Sequence, residues 1–161
     1  MNLSNLHRRL LAAVLDIGEP YPLVITDPVT GDDCEVDILK EHFRAAPTPS
    51  PYGPVLPFDS VVGTKVRALA DRGAVRDFID VHAASHHRDT TELERLGARH
   101  ARDEFRLDDL RDRLAGVEWS DDEEFAAYGV SPAETADIRA WAQGWADSLN
   151  RRLHDIHDAE G

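Results

Sequence analysis

Beyond residue 58 the chain offers almost nothing that reads as strand. From Asp59 to near the C-terminus apolar residues recur every three or four positions, the spacing of amphipathic helices. Period-two alternation is confined to "LVITDPVTGDDCEVDILK", residues 23–40, where two β-rich runs flank a turn containing Pro28, Gly31 and paired aspartates. A small β-hairpin followed by a helical bundle is therefore expected, an α+β chain by order of elements. In the second run Cys34, Val36 and Ile38 alternate with Glu35 and Asp37, so the two sets face opposite sides of the strand.

The remaining boundaries follow from caps and breakers. Ser4 can cap a first helix to about Asp16, and "GEPYP" ends it. "AAPTPSPYGP", residues 45–54, is too rich in proline to be helix. This divides the chain into residues 1–54, holding the first helix, the hairpin and the connector, and a helical part at 55–161. There, Asp59 or Ser60 can cap a helix that ends at Gly73, and a second helix covers about 74–87. Thr91 with Glu94 suggests a capping box for a third, and "LDDLRDRL" a short fourth. Ser120 opens "DDEEFAAYG", which Gly129 closes, and Ser131, Pro132 and Glu134 start a long last helix to about His157.

Composition narrows the function. With 18 basic and 31 acidic residues the formal charge is −13, which opposes general attraction to phosphate backbones. A nucleic acid or nucleotide partner then needs a local basic pocket or bound cations. No apolar run approaches the roughly 20 residues that span a bilayer, so no membrane partner is expected. A lone cysteine, Cys34, rules out an internal disulfide and suits a reducing, cytoplasmic setting.

The chemistry concentrates in "VVGTKVRALADRGAVRDFID", residues 61–80. Placing Lys65 at zero and advancing ~100° per residue sets Arg72 about 20° away, with Val61, Val62, Leu69 and Val66 on the same side. Thr64, Arg67 and Asp71 fall opposite. Two cations thus stand inside an apolar stripe, where an unpaired ammonium costs several kcal/mol. On the next helix Asp77 and Asp80 share an edge of the polar side, while Val75, Phe78, Ile79 and Val81 form the packing side. The cations and acids fit either a structural ion-pair cluster, such as a plain Lys65–Asp80 bridge, or the wall of a phosphate-handling site.

The run from "CEVDILK" through "PVLPFDSVVGTKVRALADRGAVRDFIDVHAA" resembles the C-terminal part of nucleotidyltransferase-like toxins of the AbiEii/AbiGii abortive-infection family, the toxins of type IV toxin–antitoxin systems. The resembling pattern is a lysine helix, an arginine seven residues on, then Arg-Asp-x-x-Asp: here Lys65, Arg72, Arg76, Asp77 and Asp80. The resemblance implies a polymerase-β-like nucleotidyltransferase fold, with the hairpin a remnant of its sheet. It implies that an NTP is held by its triphosphate and a nucleotide passed, with Mg²⁺, to an RNA or protein acceptor. Lys65, Arg72 and Arg76 would then bind the phosphates, and Lys65 and Asp77 would serve catalysis. Asp77 would orient the lysine or touch the nucleotide, and Asp80 would brace the helix. Asp37 matches the third metal carboxylate of that fold, against a plain reading as a solvent-facing strand residue.

The family's Gly-Gly or Gly-Ser turn with its following Asp-x-Asp or Asp-x-Glu strand is absent, and one carboxylate could not hold two Mg²⁺ ions well. The chain is therefore expected to be inactive alone: a truncated or degenerate member, one whose start lies upstream of Met1, or a subunit completed by another chain. A second expectation, from a different class, is a non-catalytic interaction protein that binds an antitoxin or a sibling chain in a homo- or hetero-oligomer. His82 with His86, and His154 with His157, have helical metal-ligand spacing but sit in an apolar arc and in a charged tail. Trp119, Trp141 and Trp145 read as core or interface anchors.

Overall fold

The computed structural model describes residues 21–38, 45–51, 53–101 and 104–159, with backbone alone at 21–23, 34–38 and 156–159. The expected first helix and the side chain of Cys34 lie outside the described residues. The chain falls into two compact units, residues 1–44 and 45–161.

In the first unit, β1 (Tyr21–Thr26) pairs antiparallel with β2 (Asp33–Ile38), in a register that sets Val24 opposite Glu35 and Pro22 opposite Asp37. Asp27 organises the turn. Its side chain accepts from the Val29 amide at 2.7 Å, and its carbonyl accepts from Gly31, whose φ of 78° would strain any other residue type. Thr26 donates to Asp33 across the end of the strand pair at 2.6 Å.

The second unit begins with the proline-rich stretch, which is more than a connector. A bridge between Thr48 and Val55, with reciprocal amide bonds of 2.7 and 2.9 Å, closes it into a loop. Among the described residues six helices follow: α1 (Phe58–Arg72), α2 (Val75–Ser85), α3 (Thr90–His100), α4 (Leu107–Ala115), α5 (Asp122–Ala126) and α6 (Pro132–Ala159). A 3₁₀ turn, Gly116–Trp119, leads out of α4. The helical bundle expected from the periodicity is thus present. Helix α1 is its axis, packed against α2, α3 and α4, and the long α6 lies across α4 and α2. Val66, Leu69, Phe78, Leu93, Leu96 and Leu110 are all at most 1% exposed at the centre.

Helices α1 and α3 can approach closely because both are notched. A β-carbon on Gly97 would lie 2.6 Å from Val66 Cγ1 and 2.9 Å from the Phe105 ring, and one on Gly63 would lie 2.6 Å from the Leu96 carbonyl oxygen. Gly73, at φ 62°, makes the left-handed turn that ends α1 and folds α2 back beside it.

Several caps differ from expectation. Helix α1 starts at Phe58, ahead of both expected caps, with no side-chain cap at Pro57, and Asp59 instead bonds Arg88. Asp89, not Thr91, caps α3 by accepting from the Glu92 amide at 2.8 Å. Glu94 is drawn inward, where it accepts from Trp145 Nε1 at 2.9 Å and from Arg152. Position 94 lies on the buried side between Leu93 and Gly97, so its carboxylate meets partners on α6 rather than its own helix end. Ser131 and Glu134 do form the expected box at the start of α6, with Ser131 donating from its amide (2.8 Å) and hydroxyl (2.6 Å) to the Glu134 carboxylate. Those bonds hold the Glu134 carboxyl below its usual range. Trp145 is buried and Trp141 half-buried as anchors, but Trp119 stands 88% exposed on the 3₁₀ turn.

Candidate functional site

Because Gly73 reverses the chain, α1 and α2 run antiparallel and meet along a seam. Three of the contacts that cross it mark its two ends and its middle. At the Gly73 end, Arg72 Nε and Nη2 donate to both oxygens of Asp77 at 2.7 and 2.8 Å. Midway, Lys65 Nζ lies 2.6 Å from Asp80 Oδ2. At the far end the Phe58 ring meets the His87 ring edge-on, 5.8 Å between centroids. Phe58, Lys65 and Arg72 are seven residues apart in turn, within about 40° on the helix, so one stripe of α1 carries all three.

Exposure along the seam sorts the residues. The Lys65 and Asp80 side chains are each about one-third exposed, at 33% and 37%, so the pair is reachable from solvent. Asp77 is fully buried, yet the guanidinium that binds it belongs to a half-exposed Arg72. The bidentate bond to Asp77, first, outweighs the opposing desolvation and, with the nearby charges of Asp77 and Asp71, holds the Arg72 pKa above its ordinary value, so the guanidinium stays charged. The expected polar edge for Asp77 is thereby corrected. It sits in the first turn of α2 under Arg72, where a helix N-terminus favours an anion. The two acids also divide the cations: Asp80 contacts Lys65, and Asp77 fixes Arg72. Arg76 is exposed and makes no ion pair among the described residues.

Asp37 lies in β2, and its side chain is outside the described residues. Among the described residues no group of three His, Cys, Asp or Glu side chains converges on a point that could hold a metal. His82 and His86 meet edge to face at 5.1 Å, and His82 also packs on Trp141 and approaches Asp137 at 3.4 Å. His86 Nδ1 is directed to the His82 carbonyl at 3.0 Å. This pair is a packing contact between α2 and α6. His154 is exposed, and His157 has no described side chain.

On the side of α1 opposite the apolar stripe, Arg67 is nevertheless largely covered. Its side chain is 17% exposed, and Nη1 donates to the His100 carbonyl at 3.1 Å, because α3 and α4 cover that side of the helix. A cavity of about 190 Å³ opens there, lined by Arg67, Asp71, Glu104, Phe105, Arg106 and Asp109 among others, beside a shallower one of about 470 Å³ that includes Asp112 and Arg113. Lys65, Arg72, Asp77 and Asp80 line neither. The seam is an open face of the bundle, not a wall of these cavities.

Sequence patterning did not pick out Phe58, Asp59, His87 and Arg88, which extend the seam to its far end. Arg88 Nη2 and Nε donate to Asp59 Oδ1 at 2.9 and 3.2 Å, and its guanidinium carbon lies 5.4 Å from the Phe58 ring centre. No sequence signal flags them, since the Asp59–Arg88 spacing follows from the length of the α1–α2 hairpin and not from any local period.

The model of one protein family, described as nucleotidyl transferase AbiEii toxin, Type IV TA system, matches residues 15–151, a span that contains the strand pair and α1 to α5 with most of α6. No curated protein and no solved structure matches significantly.

Proposed function

Since this chain belongs to the AbiEii nucleotidyl transferase toxin family of type IV toxin–antitoxin systems, we propose that the α1–α2 seam handles the triphosphate of an NTP. Lys65 is the principal phosphate contact, and Arg72 and Arg76 flank it. The observation that carries this reading is the state of the two paired cations: each is held by an acid of α2, and each remains partly open to solvent. For Lys65, whose partner Asp80 is as exposed as itself, a pairing kept only for stability gains little. A cation awaiting a more highly charged anion gains a defined direction from a weak partner that it can exchange. Three phosphate groups outcompete the single charge of Asp80, while the buried Asp77 keeps the Arg72 fork aimed along the seam.

In this reading Asp77 is a positioning residue for Arg72, and Asp80 holds Lys65 until the nucleotide arrives. Cations of this kind stabilise charge that develops on a departing pyrophosphate. Mg²⁺ enters through the family, and it would supply alignment of attacking and leaving oxygens. Asp37 is its candidate ligand in this chain. The strand pair is then a remnant of a nucleotidyltransferase sheet, and these 161 residues by themselves bind nucleotide without turning it over. The acceptor is an RNA or a protein, reached through a local site because the whole chain carries −13. A cognate antitoxin is the proposed partner. No described helix is long and apolar enough to cross a membrane.

Calorimetric titration of NTP with Mg²⁺ tests the reading. Wild type is expected to bind, and Lys65→Ala to weaken binding about tenfold or more, the size of one lost charge-assisted contact. Absence of binding in both, or equal binding in both, removes the phosphate role. The lack of a Gly-Ser turn with an Asp-x-Asp strand in the sequence also favours a second reading, a non-catalytic subunit whose bundle docks a partner chain. Stoichiometric complex formation with no NTP affinity would be its signature.

A further inference from the structure

We propose that the half-exposed Phe58 ring is the seat of the nucleobase, so that a bound nucleotide lies lengthwise on α1 with its base at Phe58 and its phosphates at Lys65. This rests on the phosphate reading above and adds what orients the rest of the ligand.

The Phe58 environment is unusual for a large apolar residue. The ring is 48% exposed at the head of α1, with Val61 one turn on also exposed, at 38%. Yet it is not loose. His87 abuts its edge with the ring planes at 90°, and the Arg88 guanidinium lies over it at 5.4 Å. Arg88 is in turn pinned by two bonds to Asp59. An aromatic ring so fixed by His87 and Arg88, and still half exposed, is a ready stacking platform. Every base has a π-face, so such a platform takes bases without hydrogen-bond readout and favours the larger purines.

The spacing agrees with a nucleotide. Seven residues of helix separate Phe58 from Lys65, a rise of about 10 Å, comparable to the reach from a base across ribose to the outer phosphates. Val61, between them on the stripe, offers an apolar floor for the sugar. The charges are ordered to match: Asp59 is neutralised by Arg88 at the base end, and the exposed Arg76 and half-exposed Arg72 lie toward the phosphate end. A nucleotide laid the other way would put its phosphates beside the Asp59 carboxylate and its base among cations.

The test compares ATP, UTP and inorganic tripolyphosphate as ligands of the full chain, using wild type, Phe58→Ala, Phe58→Leu and Lys65→Ala. Wild type is expected to bind ATP more tightly than UTP, and UTP more tightly than tripolyphosphate. Both Phe58 variants should lose about tenfold for ATP with tripolyphosphate affinity unchanged, and Phe58→Leu keeps apolar volume should Phe58→Ala fold poorly. Lys65→Ala should weaken all three. The base seat is overturned if wild type binds ATP no better than tripolyphosphate, or if the Phe58 variants weaken both alike or neither. It is also overturned if they change the sedimenting mass while ATP affinity stays, which would make Phe58 a contact between chains. Failure of the phosphate role has another signature: no tripolyphosphate binding by wild type, or none lost in Lys65→Ala.

Discussion

Replacing Asp77 by Asn separates the role of this acid from its shape. Asn keeps the volume at a fully buried site but presents one carbonyl oxygen and one NH₂ group to an arginine that has only donors. One of the two bonds, now 2.7 and 2.8 Å, must be lost, and a donor is turned against a donor. A hydrogen bond to a charged group contributes about 1.5–3 kcal/mol. The half exposure of Arg72 lowers that figure, because its guanidinium can turn to water, while loss of an anion from the first turn of α2 adds about 0.3–1 kcal/mol. The expected destabilisation is about 2 kcal/mol. Arg72→Gln should cost somewhat more, about 3 kcal/mol, because it leaves a carboxylate buried without its counterion. The double variant should cost less than the two combined by about 2 kcal/mol. Urea unfolding followed through tryptophan fluorescence measures all three, since Trp145 is buried and reports the packed state. If Asp77→Asn lies within 0.5 kcal/mol of wild type, and the two sites are additive, the buried acid is not what fixes Arg72, and the seam loses its anchor.

The remaining expectations are simpler. Gly97→Ala should cost about 1–3 kcal/mol, since the new methyl would lie 2.6 Å from Val66 Cγ1, and a thermal melt that matches wild type would mean the α1–α3 approach is looser than described. Burial pushes the His82 pKa below its ordinary 6.5, with His86 in the same direction and Asp137 opposing. The unfolded chain then takes up the proton more readily, so this contribution to stability is complete above about pH 6.5 and is lost as pH falls through the lower folded value. His82→Gln should flatten the acid-side decline in melting temperature, and unchanged slopes would refute that assignment.

How far the sequence carried depended on whether a feature was local. Gly73 in a left-handed turn, the Ser131–Glu134 box and the helix at Leu107–Ala115 are set by residues within a turn of one another, and all could be read directly. The pairing of Lys65 with Asp80 was legible as one of two alternatives, since helix phase puts both on facing stripes. Asp77, Arg67 and Glu94 were not legible. Each is a charged residue that tertiary neighbours enclose: Asp77 under an arginine, Arg67 beneath α3, Glu94 against an indole from the far end of the chain. A two-letter code of apolar and polar positions assigns all three to solvent. Of the two roles read for Trp119, core or interface anchor, its 3₁₀ turn excludes the first by leaving the indole outside.

The position of α1 among α2, α3 and α4 has a consequence for how a ligand would be received. A cation on a peripheral helix can drift with its scaffold, and binding must first still that motion. Lys65 is rooted in the element that the bundle holds on three sides, so only its own four-carbon stem is left to settle. Ligand capture at this face should therefore leave amide exchange in α1 nearly as slow as before, and show itself at the rim, in the turn around Phe58 and Arg88.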